Sequence, residues 1–326
     1  MKAIQITELT GPASALQLVE IDEPQPTHML TPGHGVVVDV KAAGVSFPEV
    51  LQSRGEYQIK PPLPFVPGSE VAGLVHTAPE GSSLKAGDRV AAFCLVGGFA
   101  QLAVAPAYFT FPLPEQLDFQ QGAGLILNYH TAYFALHTRG RLQIGETVLV
   151  HGAGGGIGTA ALQVAKGLGA QTIAVVSSDE KAQIASHAGA DHVLRSSGSW
   201  KDEALELGGA DIVVDPVGGD RFLDSLRSLK EGGRVLVIGF AEGSIPEVRV
   251  NRLLLNNVDV VGAGWGAYAV SKRQYVAEVA TALSGLIAAG HVRPVVGAQF
   301  PLEQAAEALK LIDGRGAAGK VVLDVA

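Results

Sequence analysis

The spacing of apolar residues changes near residue 145, and the change predicts two kinds of architecture. Beyond that point, short apolar segments alternate with stretches whose apolar residues recur at helical spacing. The first helical face comprises Ala160, Ala161, Val164, Ala165 and Leu168. The apolar segments predict strands at Val148–Val150, Thr172–Val176, Asp191–Leu194, Asp211–Asp215, Arg234–Ile238 and Val258–Val261. Six strands joined by helical crossovers predict an α/β fold with a doubly wound, six-stranded parallel sheet.

Before that point the chain is a series of short strands with Pro and Gly clusters between them, such as Lys60–Gly68. The predicted strands are Met1–Ile6, Gly35–Val40, Val71–Val75 and Arg89–Phe93, which indicates a β-rich domain. Strand patterns return at Val292–Val296 and Lys320–Leu323, on either side of a predicted helix over Leu302–Ile312. We therefore expect one discontinuous domain of residues 1–122 and 292–326, and a second domain of residues 123–291.

A glycine turn, Ala153–Gly158, follows the first parallel strand and opens the first helix. Its spacing is that of the G-x-G-x-x-G fingerprint with Ala153 in the first position. Gly155 would leave room for a pyrophosphate, and Gly158 would let the helix approach the strand. The turn lies in a complete β-α-β unit, which favours dinucleotide binding over an ordinary strand–helix connection. We expect contacts from Ala153, Gly155, Gly156, Ile157 and Gly158, in a cleft between the domains at the carboxyl ends of the strands.

The end of the second parallel strand indicates which dinucleotide binds. NAD-specific sites usually place Asp or Glu there for the ribose hydroxyls. This chain has Ser177 and Ser178, with Lys181 one turn into the next helix and Arg195 at the end of the third strand. These side chains can donate to a phosphate, so they favour NADP(H). Asp179, an acidic residue close to the strand end, counts against NADP(H). Alternatively, Ser177–Asp179 only cap the helix.

Composition narrows the class of protein. The chain has 326 residues, 47% of them hydrophobic, and a net charge of −8. It therefore lacks the excess of basic residues that is typical of nucleic-acid-binding proteins. One cysteine, Cys94, excludes an internal disulfide and a multi-cysteine metal site. We expect no membrane segment, because no apolar stretch is long enough. Met1–Ile6 has the pattern of a strand and lacks a signal-peptide core, so we expect a cytoplasmic protein.

Several short motifs run the length of the chain. They are Ala42–Ser46, Phe65–Gly73, Gly87–Val90, Gly98–Ala100, Thr131–Tyr133, Ala153–Gly158, Gly189–Asp191 and Gly319–Leu323. Together they resemble the medium-chain dehydrogenase/reductase superfamily, and within it the zinc-free NADPH:quinone oxidoreductase (zeta-crystallin-like) group. The resemblance implies a GroES-like β-rich catalytic domain and a Rossmann NADP-binding domain.

The resemblance also bears on zinc. Zinc-dependent members place Cys, His and Cys at positions that match Ser46, Ser69 and Leu127. Two hydroxyls and an alkyl group do not form a zinc site, Glu70 alone does not suffice, and the four-cysteine structural lobe is missing, so we expect no metal. His130 is the histidine nearest the predicted cleft. It could donate a proton, although a lone histidine is more often structural.

Without zinc, an alkoxide has no Lewis acid to stabilise it, so alcohol oxidation is disfavoured. An acceptor that is already electrophilic, such as a quinone or an α,β-unsaturated carbonyl, suits a metal-free NADPH site. Tyr57 matches a tyrosine of the family's cleft and is the first candidate hydrogen-bond donor to the acceptor oxygen. Ser46, where related reductases often have Asn, is the second. Alternatively, Tyr57 only shapes the pocket and Ser46 only bonds backbone.

Further cofactor contacts follow from the fold and the resemblance. They are Asn128 and Thr131 beside the nicotinamide ribose, Val217 on the adenosine side, Gly239 and Phe240 near the nicotinamide, Trp265 over its ring, and the basic residues Arg315 and Lys320. For the aromatic residues, the alternative is core packing.

We therefore expect a zinc-independent, NADPH-dependent reductase of quinones, by one- or two-electron transfer. Reduction of the C=C bond of enones or alkenals is one alternative. An NADPH-binding structural or regulatory protein with little turnover is another. The resemblance also implies a homodimer, because the apolar strand Val258–Val261 would lie at a sheet edge that needs cover.

Overall fold

The structure is a computed structural model that describes residues 1–325. The chain divides into two compact units. The first, here called the β unit, comprises Met1–Leu127 and the C-terminal stretch from Pro294. The second, here called the parallel-sheet unit, comprises Asn128–Arg293.

The helices and strands follow in chain order. The N-terminal part contains β1 (Lys2–Ile6), β2 (Leu16–Glu20), β3 (Gly35–Val45), α1 (Phe47–Ser53), β4 (Glu70–Thr77), β5 (Arg89–Phe93), β6 (Leu102–Pro106), a 3₁₀ turn (Ala107–Phe109), β7 (Thr110–Pro112) and α2 (Phe119–Gly122). A helical stretch follows, made of a π-helical segment (Ile126–His130), α3 (Thr131–Tyr133) and a second π-helical segment (Phe134–Arg139).

The rest of the chain alternates strands and helices. Its elements are β8 (Thr147–His151), α4 (Gly156–Gly167), β9 (Gln171–Val176), α5 (Asp179–His187), β10 (His192–Arg195), α6 (Trp200–Glu206), β11 (Ala210–Asp215), a 3₁₀ turn (Gly219–Arg221), α7 (Phe222–Arg227), β12 (Leu229–Val237), α8 (Asn251–Asn256), β13 (Asp259–Gly262), α9 (Trp265–Val270), α10 (Arg273–Ala288), β14 (Val296–Pro301), a 3₁₀ turn (Leu302–Gln304), α11 (Ala305–Asp313) and β15 (Lys320–Asp324).

The β unit is built on a seven-stranded sheet with the order β14-β15-β3-β4-β5-β7, in which β6 also pairs with β3. Strand β3 is central and pairs antiparallel with β4, β6 and β15. Its alternate residues Val36, Val38 and Val40 belong to a buried apolar cluster that also includes Leu309 of α11. The strand predicted over Val292–Val296 begins only at Val296 and runs to Pro301. Pro294 explains the shift, because proline has no N–H for a sheet ladder.

The parallel-sheet unit contains a six-stranded sheet with the order β10-β9-β8-β11-β12-β13, and every pairing is parallel. This confirms the predicted doubly wound α/β sheet. Strand β8 is buried along its whole length, whereas β13 forms one edge and is largely exposed. The predicted apolar face of α4 is buried at Ala160, Ala161, Val164 and Ala165. Within residues 1–325, no helix combines the length and the apolar character that crossing a membrane requires.

Candidate functional site

The first parallel strand ends in a tight backbone turn. Strand β8 leads into α4 through Gly152, whose φ is 58°. A side chain at Gly158 would overlap the carbonyl oxygen of Gly152, so glycine is required for α4 to begin this close to the strand. Ala153, Gly156 and Ile157 complete the turn and the start of the helix.

The N-terminus of α4 has the properties of an anion site. Its N-cap is Gly155, no side chain caps the first turn, and no acidic residue lies in that turn. The first N–H groups of this 12-residue helix therefore have no side-chain acceptor. A Cβ on Gly155 would meet only the carbonyl oxygen of Gly152, at 3.5 Å. Uncapped N–H groups beside open space fit a pyrophosphate, because the helix dipole favours negative charge there.

The end of β9 places a lysine against this turn. Ser177 is exposed, and Ser178 is the N-cap of α5, with its Oγ accepting the Lys181 N–H at 3.3 Å. A Cβ on Gly154 would lie 2.5 Å from Lys181 Cβ, so the stem of Lys181 packs directly on the glycine turn. Burial lowers the pKa of Lys181, and the nearby Glu180 charge opposes that shift. Ser178 thus performs the capping role, while Ser177 and Lys181 flank the turn.

The acidic residue near this strand end is balanced by an arginine. Asp179 forms an ion pair with Arg195, and the Asp179 side chain is 94% exposed. Arg195 is in register with Val176, the last residue of β9, so it lies beside Ser177. Its Nη1 is buried and has no hydrogen-bond partner within residues 1–325. The charge of Asp179 therefore does not leave this strand end acidic.

The loops that follow β11 and β12 lie next to each other. Asp215, at the end of β11, is buried, and its Oδ1 accepts the N–H groups of Val217 at 2.8 Å and Gly218 at 2.9 Å. Burial raises the pKa of Asp215, and these two hydrogen bonds oppose the shift. Backbone hydrogen bonds tie this loop to the one after β12, which carries Gly239 and Phe240. Phe240, a large apolar side chain in the loop after β12, is 36% exposed.

Trp265, which we expected over the nicotinamide ring, packs against a buried histidine. It is 2% exposed, and its ring meets the ring of His130 edge to face at a centroid distance of 5.5 Å. Burial lowers the pKa of His130 to about 3, so this ring is neutral at pH 7 and belongs to the core. Trp265 is likewise buried, and its contact with the nicotinamide ring stays a prediction. Asn128 is 7% exposed, and Thr131 begins α3.

In the β unit, the first turn of α1 contains a buried glutamate. Ser46 is the N-cap of α1, and its N–H donates to Glu49 Oε2 at 2.9 Å. Glu49 Oε1 accepts the Ser69 N–H at 2.9 Å and the Ser69 hydroxyl at 2.6 Å. Glu49 is completely buried, and this burial raises the pKa of its carboxyl, although Ser69 and Lys320 favour the charged form.

A buried ion pair lies next to it. Lys320 Nζ donates to Glu70 Oε1 at 2.6 Å and to Ser46 Oγ at 2.7 Å. Glu70 Oε2 accepts the Leu127 N–H at 2.9 Å. The side chains of Lys320 and Glu70 are 4% and 0% exposed. The positions that match zinc ligands in relatives are therefore each hydrogen-bonded to Glu49, Glu70 or Lys320.

Lys320 is one of the two basic residues expected near the cofactor, and its ammonium is buried and paired within the β unit. Arg315, the other basic residue predicted there, is exposed in the turn after α11 with a φ of 57°. Tyr57 is partly exposed beyond the end of α1. Burial and then the Glu49 charge raise the pKa of its phenol, which keeps it protonated as a hydrogen-bond donor.

Glu49 was not among the predicted site residues. A signal for its position exists, because Ser46–Phe47–Pro48–Glu49 has the S-x-x-E spacing of a capping box with proline in the first turn. Its contact with Ser69 is a tertiary one that this spacing does not contain. Within residues 1–325, no three His, Cys, Asp or Glu side chains are grouped so that they could hold a metal ion.

Comparison with known proteins gives this geometry a context. Residues 32–115 match the alcohol dehydrogenase GroES-like domain model, and residues 156–284 match the zinc-binding dehydrogenase model. The quinone oxidoreductase of Rattus norvegicus is 34% identical over 330 residues, which cover 99% of this chain and 97% of the relative. This chain belongs to the quinone oxidoreductase group of the medium-chain dehydrogenases/reductases. Quinone oxidoreductase-like protein 2 of Bos taurus is 38% identical over 301 residues, which cover 90% of this chain and 85% of that protein.

Solved structures of this superfamily superpose on the whole chain. A probable oxidoreductase from Mycobacterium abscessus has a TM-score of 0.88 and 44% identity, and covers 100% of this chain and 99% of its own. The quinone oxidoreductase of Thermus thermophilus, solved alone and with NADPH, has a TM-score of 0.84 and 34% identity over 100% of both chains. The predicted combination of a GroES-like β-rich domain and a Rossmann sheet is confirmed.

Proposed function

We propose that this protein is an NADPH-dependent, zinc-independent reductase that transfers reducing equivalents to quinones. The quinone oxidoreductase relatives and their NADPH-bound structures support this reaction class. The observation that carries the cofactor assignment is the uncapped N-terminus of α4 with Lys181 packed on its glycine turn. When bound, NADPH supplies a hydride to the acceptor.

The cofactor roles follow from the residues at the strand ends. The N–H groups at Gly155–Gly158 would hold the pyrophosphate. Ser177, Lys181 and Arg195 would hold the 2′-phosphate, which NADPH has and NADH lacks. Ser178 acts by fixing the start of α5. Asn128, Thr131, Val217, Gly239, Phe240 and Arg315 remain proposed contacts.

The acceptor would be held by the hydroxyl groups of partly exposed residues in the β unit. A quinone carries its developing negative charge on oxygen, so it needs positioned hydrogen-bond donors. Tyr57 and Ser46 are the proposed donors, and both lie close to the buried carboxylate of Glu49. With hydroxyl and alkyl groups at the matched ligand positions, hydrogen bonding takes over the polarising role that zinc has in other relatives.

Steady-state turnover tests this function. The purified protein is assayed for NADPH oxidation with 1,4-benzoquinone and 1,4-naphthoquinone, and in parallel with cyclohexenone and a 2-alkenal. We expect turnover with the quinones and a higher kcat/KM with NADPH than with NADH. Turnover confined to the enones would assign C=C reduction instead. Tight NADPH binding without turnover of either class would indicate a binding protein and contradict the proposal.

We also propose a homodimer formed through the exposed edge of the parallel sheet. Edge strand β13 exposes Val260 at 38%, and the preceding segment exposes Ile245, Val250, Leu254 and Leu255 at 73–76%. Apolar edges of this kind are usually covered in soluble proteins, and a two-fold axis would pair β13 with its copy. Light scattering should give twice the 33.7 kDa chain mass. Val260→Lys should shift that mass to the monomer, and a monomeric wild type would contradict the dimer.

A further inference from the structure

The positions that match lost zinc ligands are connected to a buried cation. Ser46 Oγ lies 2.7 Å from Lys320 Nζ, which lies 2.6 Å from Glu70 Oε1. Glu70 is held from its other side by the Leu127 N–H at 2.9 Å. Lys320 and Glu70 are almost completely buried, whereas Ser46 is partly exposed. The arrangement therefore runs from a buried ammonium to the hydroxyl of a partly exposed serine.

The direction of these hydrogen bonds determines what Ser46 can do. An ammonium has donors and no acceptor, so Lys320 must donate to Ser46 Oγ. The Ser46 hydroxyl proton is then directed away from Lys320. The charged Lys320 ammonium makes the Ser46 hydroxyl a stronger donor, because consecutive hydrogen bonds polarise one another. Burial adds to this effect, since it reduces the screening of the ammonium charge. Glu49 fixes the backbone of the same residue by accepting the Ser46 N–H.

We propose that Lys320 is a positioning residue that acts through Ser46, and that the Ser46 hydroxyl donates a hydrogen bond to the carbonyl oxygen of the acceptor. The inference rests on the proposed reductase function and names the residue that replaces the metal charge. As the acceptor gains a hydride from NADPH and a proton from solvent, the π electron pair moves onto the oxygen that Ser46 contacts, and NADP⁺ is left. The fixed ammonium stabilises that oxygen through the hydroxyl.

A double-mutant cycle on kcat tests this coupling, with 1,4-benzoquinone as the acceptor and NADPH saturating. One arm is Ser46→Ala. The other is the pair Lys320→Met with Glu70→Gln, which removes the ammonium without leaving a buried carboxylate unpaired. We expect Ser46→Ala to lower kcat at least about tenfold. The Lys320/Glu70 pair variant should lower kcat when Ser46 is present, whereas adding the pair to Ser46→Ala should change kcat less than twofold, because Lys320 acts only through the hydroxyl.

Controls separate this role from a structural one. Ser46→Thr keeps both the hydroxyl and the N-cap and should retain most of kcat, even if the Lys320/Glu70 pair variant fails to fold. Melting temperature and the NADPH dissociation constant are measured for every variant. An unchanged kcat in Ser46→Ala, equal losses in Ser46→Ala and Ser46→Thr, or losses that multiply in the combined variant would overturn the inference alone. A wild type that reduces neither quinones nor enones would overturn the proposed function and this inference with it.

Discussion

The two units differ in how their hydrogen-bond donors and charged groups are paired within the chain. At the N-terminus of α4 in the parallel-sheet unit, backbone N–H groups lack a side-chain cap, and a lysine packs on the glycine turn. In the β unit, the carboxylates of Glu49 and Glu70 are completely buried, and each receives donors from other segments of the chain. The first arrangement fits a ligand, because uncapped N–H groups at a helix N-terminus favour an anion. The second already contains its own counter-ion, so removing one member exposes the others to an uncompensated charge.

The largest loss of stability should follow from removing the buried ammonium of the β unit. Lys320→Met leaves Glu70 buried without its cation, and we expect a loss of about 3–5 kcal/mol in the free energy of unfolding. Chemical denaturation measures it. Adding Glu70→Gln should recover most of the loss, since the neutral amide can still accept the Leu127 N–H. If the double variant is as unstable as Lys320→Met, the instability does not come from the unpaired carboxylate.

Two substitutions in the glycine turn should have different effects, one on folding and the other on NADPH binding. Gly158→Ala forces a methyl group into the Gly152 carbonyl oxygen, and we expect about 3 kcal/mol of destabilisation. Gly155→Ala is the matched control, because its methyl group meets that oxygen only at ordinary contact distance. It should fold normally yet bind NADPH more weakly, since the methyl occupies the space proposed for the pyrophosphate. Equal melting temperatures for the two variants would contradict this division of roles.

Acid should destabilise the parallel-sheet unit through buried histidine. The pKa of His130 falls from 6.5 to about 3 on folding, so the unfolded chain binds the proton first as the pH falls. Its contribution to stability is complete above pH 6.5 and is lost as the pH falls toward 3. Between pH 7.5 and pH 5 the loss should reach about 2 kcal/mol. His130→Phe should show that much less pH dependence in urea unfolding, and identical pH profiles would show that His130 is not buried and neutral.

The same contrast explains what could be predicted from the sequence. The β-α-β unit is local: strand β8, the glycine turn, α4 and β9 follow one another, so periodicity and the A-x-G-x-x-G spacing were sufficient. Ser178 as an N-cap was likewise visible in the sequence, because capping depends on residues three apart. The packing of Lys181 on Gly154 depends on how α5 approaches the turn, and the sequence suggested only that Lys181 was nearby.

The buried charge network was not predictable in this way. It joins residues from segments near positions 46–49, 69–70, 127 and 320, and no periodicity links them. The resemblance marked Ser46, Ser69 and Leu127 as positions without metal ligands, but it did not show that a lysine lies among them. The burial of Trp265 was not predicted, for a related reason. Its neighbouring glycines suggested a ligand contact, whereas tertiary packing on His130 places it in the core.

The central claim is that the strand ends of the parallel-sheet unit select NADPH, and fluorescence titration tests it most directly. Dissociation constants for NADPH and NADH are measured on the wild type, on Lys181→Ala and on Lys272→Ala, an exposed lysine of the same unit that serves as the charge control. We predict that Lys181→Ala weakens NADPH about tenfold, or about 1.4 kcal/mol, and leaves NADH within twofold. Lys272→Ala should change neither constant. An unchanged NADPH-to-NADH ratio in Lys181→Ala would contradict the account.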